Sequence, residues 1–256
     1  MTINNELTYS LKKHTAYIKI NRPPNNYFDA ALIENIADIL DDLDKEIMCR
    51  SIILYSEGKN FCAGADFSKS NFIDGQNIYE NLYKQALRIF RTTKPIIAII
   101  QGAAIGGGLG LALSADFRIT CKEAKFSANF GKLGFHQGFG TSVTLPRVIG
   151  IQHSSDMLLT ARRVKGEEAM QMGLIDKLVD IKEVRSAAIS MANGITNSAP
   201  LAVESIRATL REGLAEQVEK VVGHELEEQM RLQKTSDFKE GVKSTLERRE
   251  ANFKGE

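Results

Sequence analysis

The spacing of apolar residues changes several times along the chain, and each change marks a new element. Ile96-Ile97-Ala98-Ile99-Ile100 is a short, mostly β-branched run, the pattern of a strand covered on both faces. Ser51 to Ser56 reads the same way. Ala16 to Ile20 alternates apolar and polar, and a second strand-like piece from Leu7 precedes it across Lys12-Lys13-His14. Leu32, Ile33, Ile36, Ile39, Leu40 and Leu43 then recur on one helical face behind Asp29, a residue type that caps helix starts. Asp38, Asp41, Asp42 and Asp44 lie mostly off that face and read as solvated surface. Helical spacing returns from Ile78 to Arg91, after a polar stretch from Phe67 to Asn77 with the composition of a surface segment.

Beyond the central strand, Leu109 to Ala115 predicts a helix, Asp116 to Thr120 a strand, and Lys125-Phe126-Ser127 the start of another. Gln152 to Thr160 and Glu167 to Met172 predict short helices, and Leu174 to Val179 a strand. From Glu183 onward the pattern is helical, with Pro200 opening one helix and Gly213 closing it. The expected fold class is therefore α/β. A core of repeated strand–helix units spans residues 1–192, and a helical extension spans residues 193–256, with a boundary near Asn193.

Each buried-type strand hands over to an irregular loop. Asn21 to Asn26 carries two prolines and disfavours helix. Glu57 to Asp66 is punctuated by Gly58 and Gly64. The third loop, Gln101 to Gly108, ends in Gly106-Gly107-Gly108 at a helix start. Glycine there brings bare backbone against a ligand, and the first N–H groups of a helix have no intrahelical acceptor. Ile96 to Ala115 carries no charge, but its five glycines and Gln101 argue against a membrane span. The glycine spacing fits neither a dinucleotide fingerprint nor a P-loop, and close packing of helix on strand is the structural alternative. If the Ala63-Gly64-Ala65 loop faces the glycine triplet, two main-chain N–H groups converge on one carbonyl oxygen and stabilise an oxyanion or enolate.

The composition narrows the partners. Among 256 residues, 33 basic and 32 acidic side chains leave a net charge of +1, so nothing points to nucleic acid or an anionic membrane. Cys49, Cys62 and Cys121 lack metal-ligand spacing and suit a reducing compartment. Met1 to Asn5 shows no secretion signal, and the expected location is cytoplasmic.

Several motifs together resemble the crotonase (enoyl-CoA hydratase/isomerase) superfamily over nearly the whole chain. Asn21-Arg22-Pro23 resembles its first-loop motif, and Phe61 to Asp66 and Gly102 to Gly108 resemble its two oxyanion-hole motifs. Thr160 to Val164, Glu168-Ala169 and Met172 to Ile175 resemble the segment after the active site, and Arg248 to Lys254 the terminal helix. The resemblance implies a spiral of repeated ββα units with a helical C-terminal part that forms trimers, often paired into hexamers. It implies an acyl-CoA substrate, with no separate cofactor or metal, whose thioester oxygen is held by the N–H groups of Ala65 and Gly107. It further implies substrate contacts at Ala63, Asp66, Phe67, Gly106, Gly110, Phe130 and Phe135, and a basic residue, Lys254, at the CoA phosphates.

The chain departs from that pattern at two positions. Family hydratases carry a catalytic glutamate two residues after the third glycine, where this chain has Gly110. A second ends a Phe-x-x-x-Glu pattern that here begins at Phe126 and ends at Phe130. Both carboxylates needed to add water are absent. His136, in Leu133 to Gly140, aligns roughly with an aspartate of the similar dihydroxynaphthoyl-CoA synthases and is the candidate acid or base. Its alternatives are a loop hydrogen bond or a CoA contact. Tyr79 and Tyr83 lie one helical turn apart and read as packing residues with a secondary candidacy for proton transfer. The function expected is a crotonase-type acyl-CoA enzyme performing isomerisation, decarboxylation, hydrolysis or C–C bond chemistry. The alternatives are a non-catalytic acyl-CoA binding protein and, least supported by the charge, a nucleic-acid binder.

Overall fold

The computed structural model describes residues 2–66 and 76–256. Phe67 and most of the polar stretch after it lie outside the described residues, as does the side chain of Tyr79.

In chain order the first elements are β1 (Thr2–Asn4), β2 (Leu7–Lys12), β3 (Thr15–Ile20), α1 (Ala30–Lys45), β4 (Ser51–Ser56), α2 (Gln76–Arg91) and β5 (Ile96–Ile100). The middle of the chain forms β6 (Ala103–Ile105), α3 (Gly107–Ser114), β7 (Phe117–Thr120), β8 (Lys125–Ser127), α4 (Thr141–Thr160), β9 (Val164–Lys165) and α5 (Gly166–Gln171). The last elements are β10 (Lys177–Leu178), α6 (Val184–Thr196), α7 (Pro200–Leu210), α8 (Leu214–Leu232) and α9 (Ser236–Glu247). Among the described residues, seven strands form one sheet in the order β1-β2-β3-β4-β5-β7-β10, and β6-β8-β9 form a second.

The strands β3, β4, β5, β7 and β10 run parallel, and β5 is buried at all five positions, as its unbroken apolar run requires. Parallel register aligns strand ends: Ile20 sits opposite Ser56, and Leu54 opposite Ala98. The three loops that follow β3, β4 and β5 therefore emerge at one edge of the sheet, where ligands of parallel sheets bind.

Asp29 caps α1 by accepting the Leu32 N–H at 2.9 Å, and all six residues of the predicted face are buried. Each such side chain contributes roughly 1.5–3 kcal/mol through removal from water. The aspartates behind them are not merely solvated. Asp38 and Asp41 pair with Arg88 of α2, and Asp44 accepts the Thr93 and Lys94 N–H groups, so this row ties α1 to α2 and to the entry of β5.

Two elements differ from the sequence reading. The strand expected from Leu174 to Val179 shrinks to Lys177–Leu178, because the Leu174 carbonyl accepts from Arg118 and the Asp176 carboxylate from the Arg118 N–H. The helix expected from Gln152 starts at Thr141 instead, its first half obscured in sequence by Pro146 and by a bend at Gly150. Asn193 lies inside α6, which packs on β3, β4, β5 and β7, so the helical region begins within a helix that covers the sheet.

Candidate functional site

The site is built where the three loops are tied to one another. Arg22 in the first loop pairs with Glu6 and Asp29, and the Asn26 amide donates to the carbonyls of Glu57 and Asn60 in the second. The Gln101 amide donates to Ser56, Gly58 and Asn60, while the Asn60 side-chain oxygen accepts the Ala103 N–H. Cys62 and Ala104 then bridge the second and third loops, and Phe28 and Ala65 bridge the first and second.

Two N–H groups follow from this arrangement. The Phe28 N–H donates to the Gly64 carbonyl at 3.0 Å. In such a parallel bridge the bonds run to the residues flanking Ala65, so its own N–H points away from Phe28. Gly107 is the first residue of α3, and an N–H in a helix's first turn has no intrahelical acceptor. The loops meet closely: a Cβ placed on Gly64 would lie 2.9 Å from the Ile105 carbonyl oxygen and 3.6 Å from the Gly107 nitrogen. Gly64 at φ +84° and Gly106 at φ +55° hold backbone shapes that side chains disfavour, which is why glycine stands at both turns.

Ala63, Ala65, Asp66, Gly106 and Gly107 all line one cavity with about 1020 Å³ of empty space up to and including its mouth. Phe28, Phe130, Phe135 and Phe139 supply aromatic walls, with ring centroids 5.5 Å apart for Phe28 and Phe139 and 5.8 Å for Phe130 and Phe135. A Cβ on Gly107 would come within 2.4 Å of the Phe28 ring, and one on Gly110 within 2.7 Å of the Phe139 Cβ. Gly110 is fully buried under Phe139 and does not line the cavity. Phe130 lines it, and its flank carries Asn129, whose side-chain oxygen would lie 3.0 Å from a Cβ on Gly106.

The structure does not bring His136 to this cavity. Its Nδ1 lies 2.9 Å from the Gln137 carbonyl, and its ring packs edge-on to His224 with centroids 5.6 Å apart. Within the Gly134–Gly140 loop Phe135 and Phe139 line the cavity, while the His136 ring lies against exposed His224 and its carbonyl accepts from Gln229. Lys254 is exposed, its N–H bonded to Asp237, and it too is outside the cavity lining.

The residues that sequence reasoning missed come mainly from the helical C-terminal region. Gln229 of α8 and Val242, Thr245 and Leu246 of α9 close the cavity. Gln229 is 2% exposed and accepts from the Tyr83 hydroxyl at 2.7 Å. A signal existed: the buried stripe of α8 runs Leu214, Val218, Glu225, Gln229, so two polar residues fall on an apolar face. Tyr27 at the cavity has its hydroxyl pKa raised by burial first and by Asp66 second, which keeps the phenol protonated. Cys62 is fully buried, and burial pushes its thiol up to about 12, so it is inert. Among the described residues no cluster of His, Cys, Asp and Glu could hold a metal ion, and no helix is long and apolar enough to cross a membrane.

A mixed α/β core whose parallel-strand loops and C-terminal helices enclose one apolar cavity is a fold with many solved relatives. The sequence profile of the enoyl-CoA hydratase/isomerase family matches residues 11–256, and the chain belongs to that family. It is 30% identical to the short-chain-enoyl-CoA hydratase of Clostridium acetobutylicum, covering 97% of each chain. It is 27% identical to the human mitochondrial Delta(3,5)-Delta(2,4)-dienoyl-CoA isomerase, covering 94% of this chain and 79% of that one. The crystal structure of an enoyl-CoA hydratase/isomerase from Pseudoalteromonas atlantica T6c superposes with a TM-score of 0.87 at 26% identity, over 97% of this chain and 100% of that one.

Proposed function

We propose that this chain acts on acyl-CoA thioesters, holding the thioester oxygen with the N–H groups of Ala65 and Gly107 as an enolate or tetrahedral oxyanion forms. What supports this is the contact of the two loops that carry these donors, with both residues on the wall of one cavity. Donors fixed before the reaction stabilise the developing charge without reorganisation, and each lowers the barrier by about 3–4 kcal/mol.

Hydration by a pair of carboxylates is not the reaction. Gly110 and Phe130 stand where family hydratases carry glutamates, and the reading is supported by what surrounds them. Phe139 fills the space a side chain on Gly110 would need, and Phe130 packs edge-on against Phe135. Among the described lining residues the one charged side chain is Asp66, so a general base of ordinary strength is scarce. Isomerisation, decarboxylation and C–C bond chemistry pass through an enolate and thioester hydrolysis through a tetrahedral oxyanion, and either places its negative oxygen at these two donors. Decarboxylation forms the enolate by losing carbon dioxide rather than a proton, and so places the least demand on a base.

Hydration of crotonyl-CoA, followed by loss of enoyl absorbance, should be far slower than the roughly 10 per second typical of enzymes. Turnover at that typical rate would overturn the assignment of a reaction other than hydration. Tight binding of acyl-CoA thioesters with no turnover of any would favour a binding protein instead.

A further inference from the structure

One polar feature of the cavity is left unused by the oxyanion chemistry. Tyr83 of α2 and Gln229 of α8 meet on its wall, 6% and 2% exposed. Their hydrogen bonds have a fixed direction. The His136 carbonyl can only accept, so it must face the Gln229 Nε2, which donates to it at 3.0 Å. The Gln229 Oε1 then faces Tyr83 and accepts its hydroxyl proton at 2.7 Å. Gly138 makes room for the pair: a Cβ there would fall 2.0 Å from the Tyr83 oxygen and 2.5 Å from the Gln229 nitrogen.

This orientation leaves bonding capacity directed by geometry. The second Nε2 hydrogen of Gln229 remains a donor, and the second lone pair of its Oε1 remains an acceptor. The pair lines the same cavity as the Ala65 and Gly107 donors. Phe28, Leu82, Phe135 and Phe139 are apolar residues of the same cavity wall. A plain alkyl chain reaching this point would leave the remaining donor and acceptor of the buried amide unbonded. A carboxylate would find no cation among the described lining residues. A hydroxyl or carbonyl oxygen satisfies the amide and carries no charge.

We propose that the Tyr83–Gln229 pair anchors the acyl end of the substrate, so that the cavity selects acyl-CoA thioesters bearing a neutral oxygen, hydroxyl or carbonyl, on the chain. The inference rests on the thioester reading of the same cavity. The test is equilibrium binding, by calorimetry, of a ladder of saturated acyl-CoA thioesters. Each chain length is compared as the plain alkyl form, with a hydroxyl or keto group stepped along the chain, and with a terminal carboxylate.

At one position the hydroxyl or keto form should bind about tenfold tighter than the alkyl chain of the same length, the size of one net hydrogen bond. The carboxylate should bind more weakly than either. Gln229→Leu should remove the preference between oxygenated and alkyl thioesters of the same length. Tyr83→Phe keeps the ring and the packing, and should weaken the preference without loss of fold. Equal affinity for alkyl and oxygenated chains at every length, or a preference unchanged in Gln229→Leu, overturns the anchor and leaves thioester binding standing. Failure of every thioester to bind overturns the thioester reading and the anchor with it.

Discussion

At the scale of single residues, the site depends on side chains that are missing where others must pass. Gly107 is the clearest case. The sequence identifies it through its place in the glycine triplet, and assigns its lack of a side chain to close approach of a ligand. The structure gives a different cause, because a Cβ would meet the Phe28 ring at 2.4 Å. Gly107→Ala should therefore lose roughly 1–3 kcal/mol of stability and disturb the cavity even without ligand. Introduced into a Phe28→Ala background, the same change should cost much less in chemical denaturation, since the colliding ring is gone. Additive losses in the double variant would return the ligand-approach explanation. Gly110 and Phe130 show the same contrast. Gly110→Glu should be poorly folded, since its Cβ would lie 2.7 Å from that of Phe139, whereas Phe130→Glu should fold with a carboxyl whose pKa is raised by its aromatic surroundings. His136 was legible as an ionisable residue in a glycine-rich loop, but one sequence cannot tell which way a loop side chain points. Its ring packs on His224 away from the cavity, so His136→Gln should change turnover of the true substrate by less than about threefold. A loss of about a hundredfold, the scale of general acid–base catalysis, would put His136 back at the reacting atoms.

At the scale of elements, the core strands and the first helix are written plainly in the hydrophobic pattern. Ile96–Ile100, Ser51–Ser56 and the Asp29-capped helix were all readable, because burial on one or both faces fixes a period that irregular segments lack. The start of α4 was not. Its N-terminus lacks a capping side chain of its own: Gly140 stands at the cap, and the acceptor comes from α8, where Glu225 takes the N–H groups of Gly140 and Ser142 at 2.8 and 3.0 Å. A cap supplied across 85 residues of chain leaves no local signature. Glu225 is fully buried, and burial raises its carboxyl above the usual 4.5, opposed in part by those N–H bonds and by the nearby His136. A carboxyl raised by folding holds its proton more tightly folded than unfolded. Its contribution to stability is fully present below the unfolded value and is lost as pH rises through the folded one. Measured against Glu225→Gln, which cannot titrate, the wild type should thus lose stability as pH climbs from 4.5 through the raised pKa. A difference that is flat or grows with pH would show that the N–H bonds outweigh burial. Glu225→Ala should cost roughly 1–3 kcal/mol for each donor left without an acceptor.

At the scale of the whole molecule, the C-terminal helices have two faces with different work. One face builds the site, since Gln229, Val242, Thr245 and Leu246 close the cavity that the sheet-edge loops open. The sequence reading assigned this region to assembly and, at Lys254, to the CoA phosphates; the lining residues were missed because on separate helices they share no common spacing. The other face is apolar and open. Leu201, Ile206 and Leu210 on α7 are 79%, 61% and 69% exposed, and beside them Met191 and Ile195 of α6 and Val203 line a groove floored by Arg207 and Arg211. Those arginines are already spent on Asp116, at 2.9 and 3.1 Å, so the groove presents carbon rather than free charge. Clustered apolar side chains at such exposure mark a contact with another protein surface. We propose that a second and third copy of this chain cover them, forming a homotrimer, with pairing of two trimers into a hexamer as the further step. Sedimentation at micromolar concentration should give the mass of three or six chains of 28.3 kDa. Ile206→Asp together with Leu210→Asp should shift that mass toward the single chain, because a charge at each apolar contact has no partner across the interface. Neither residue lines the acyl cavity, so the double variant should keep its helical circular dichroism and its affinity for acyl-CoA. A wild-type protein that sediments as one chain would overturn the trimer, and an unchanged oligomer in the double variant would move the interface away from α7.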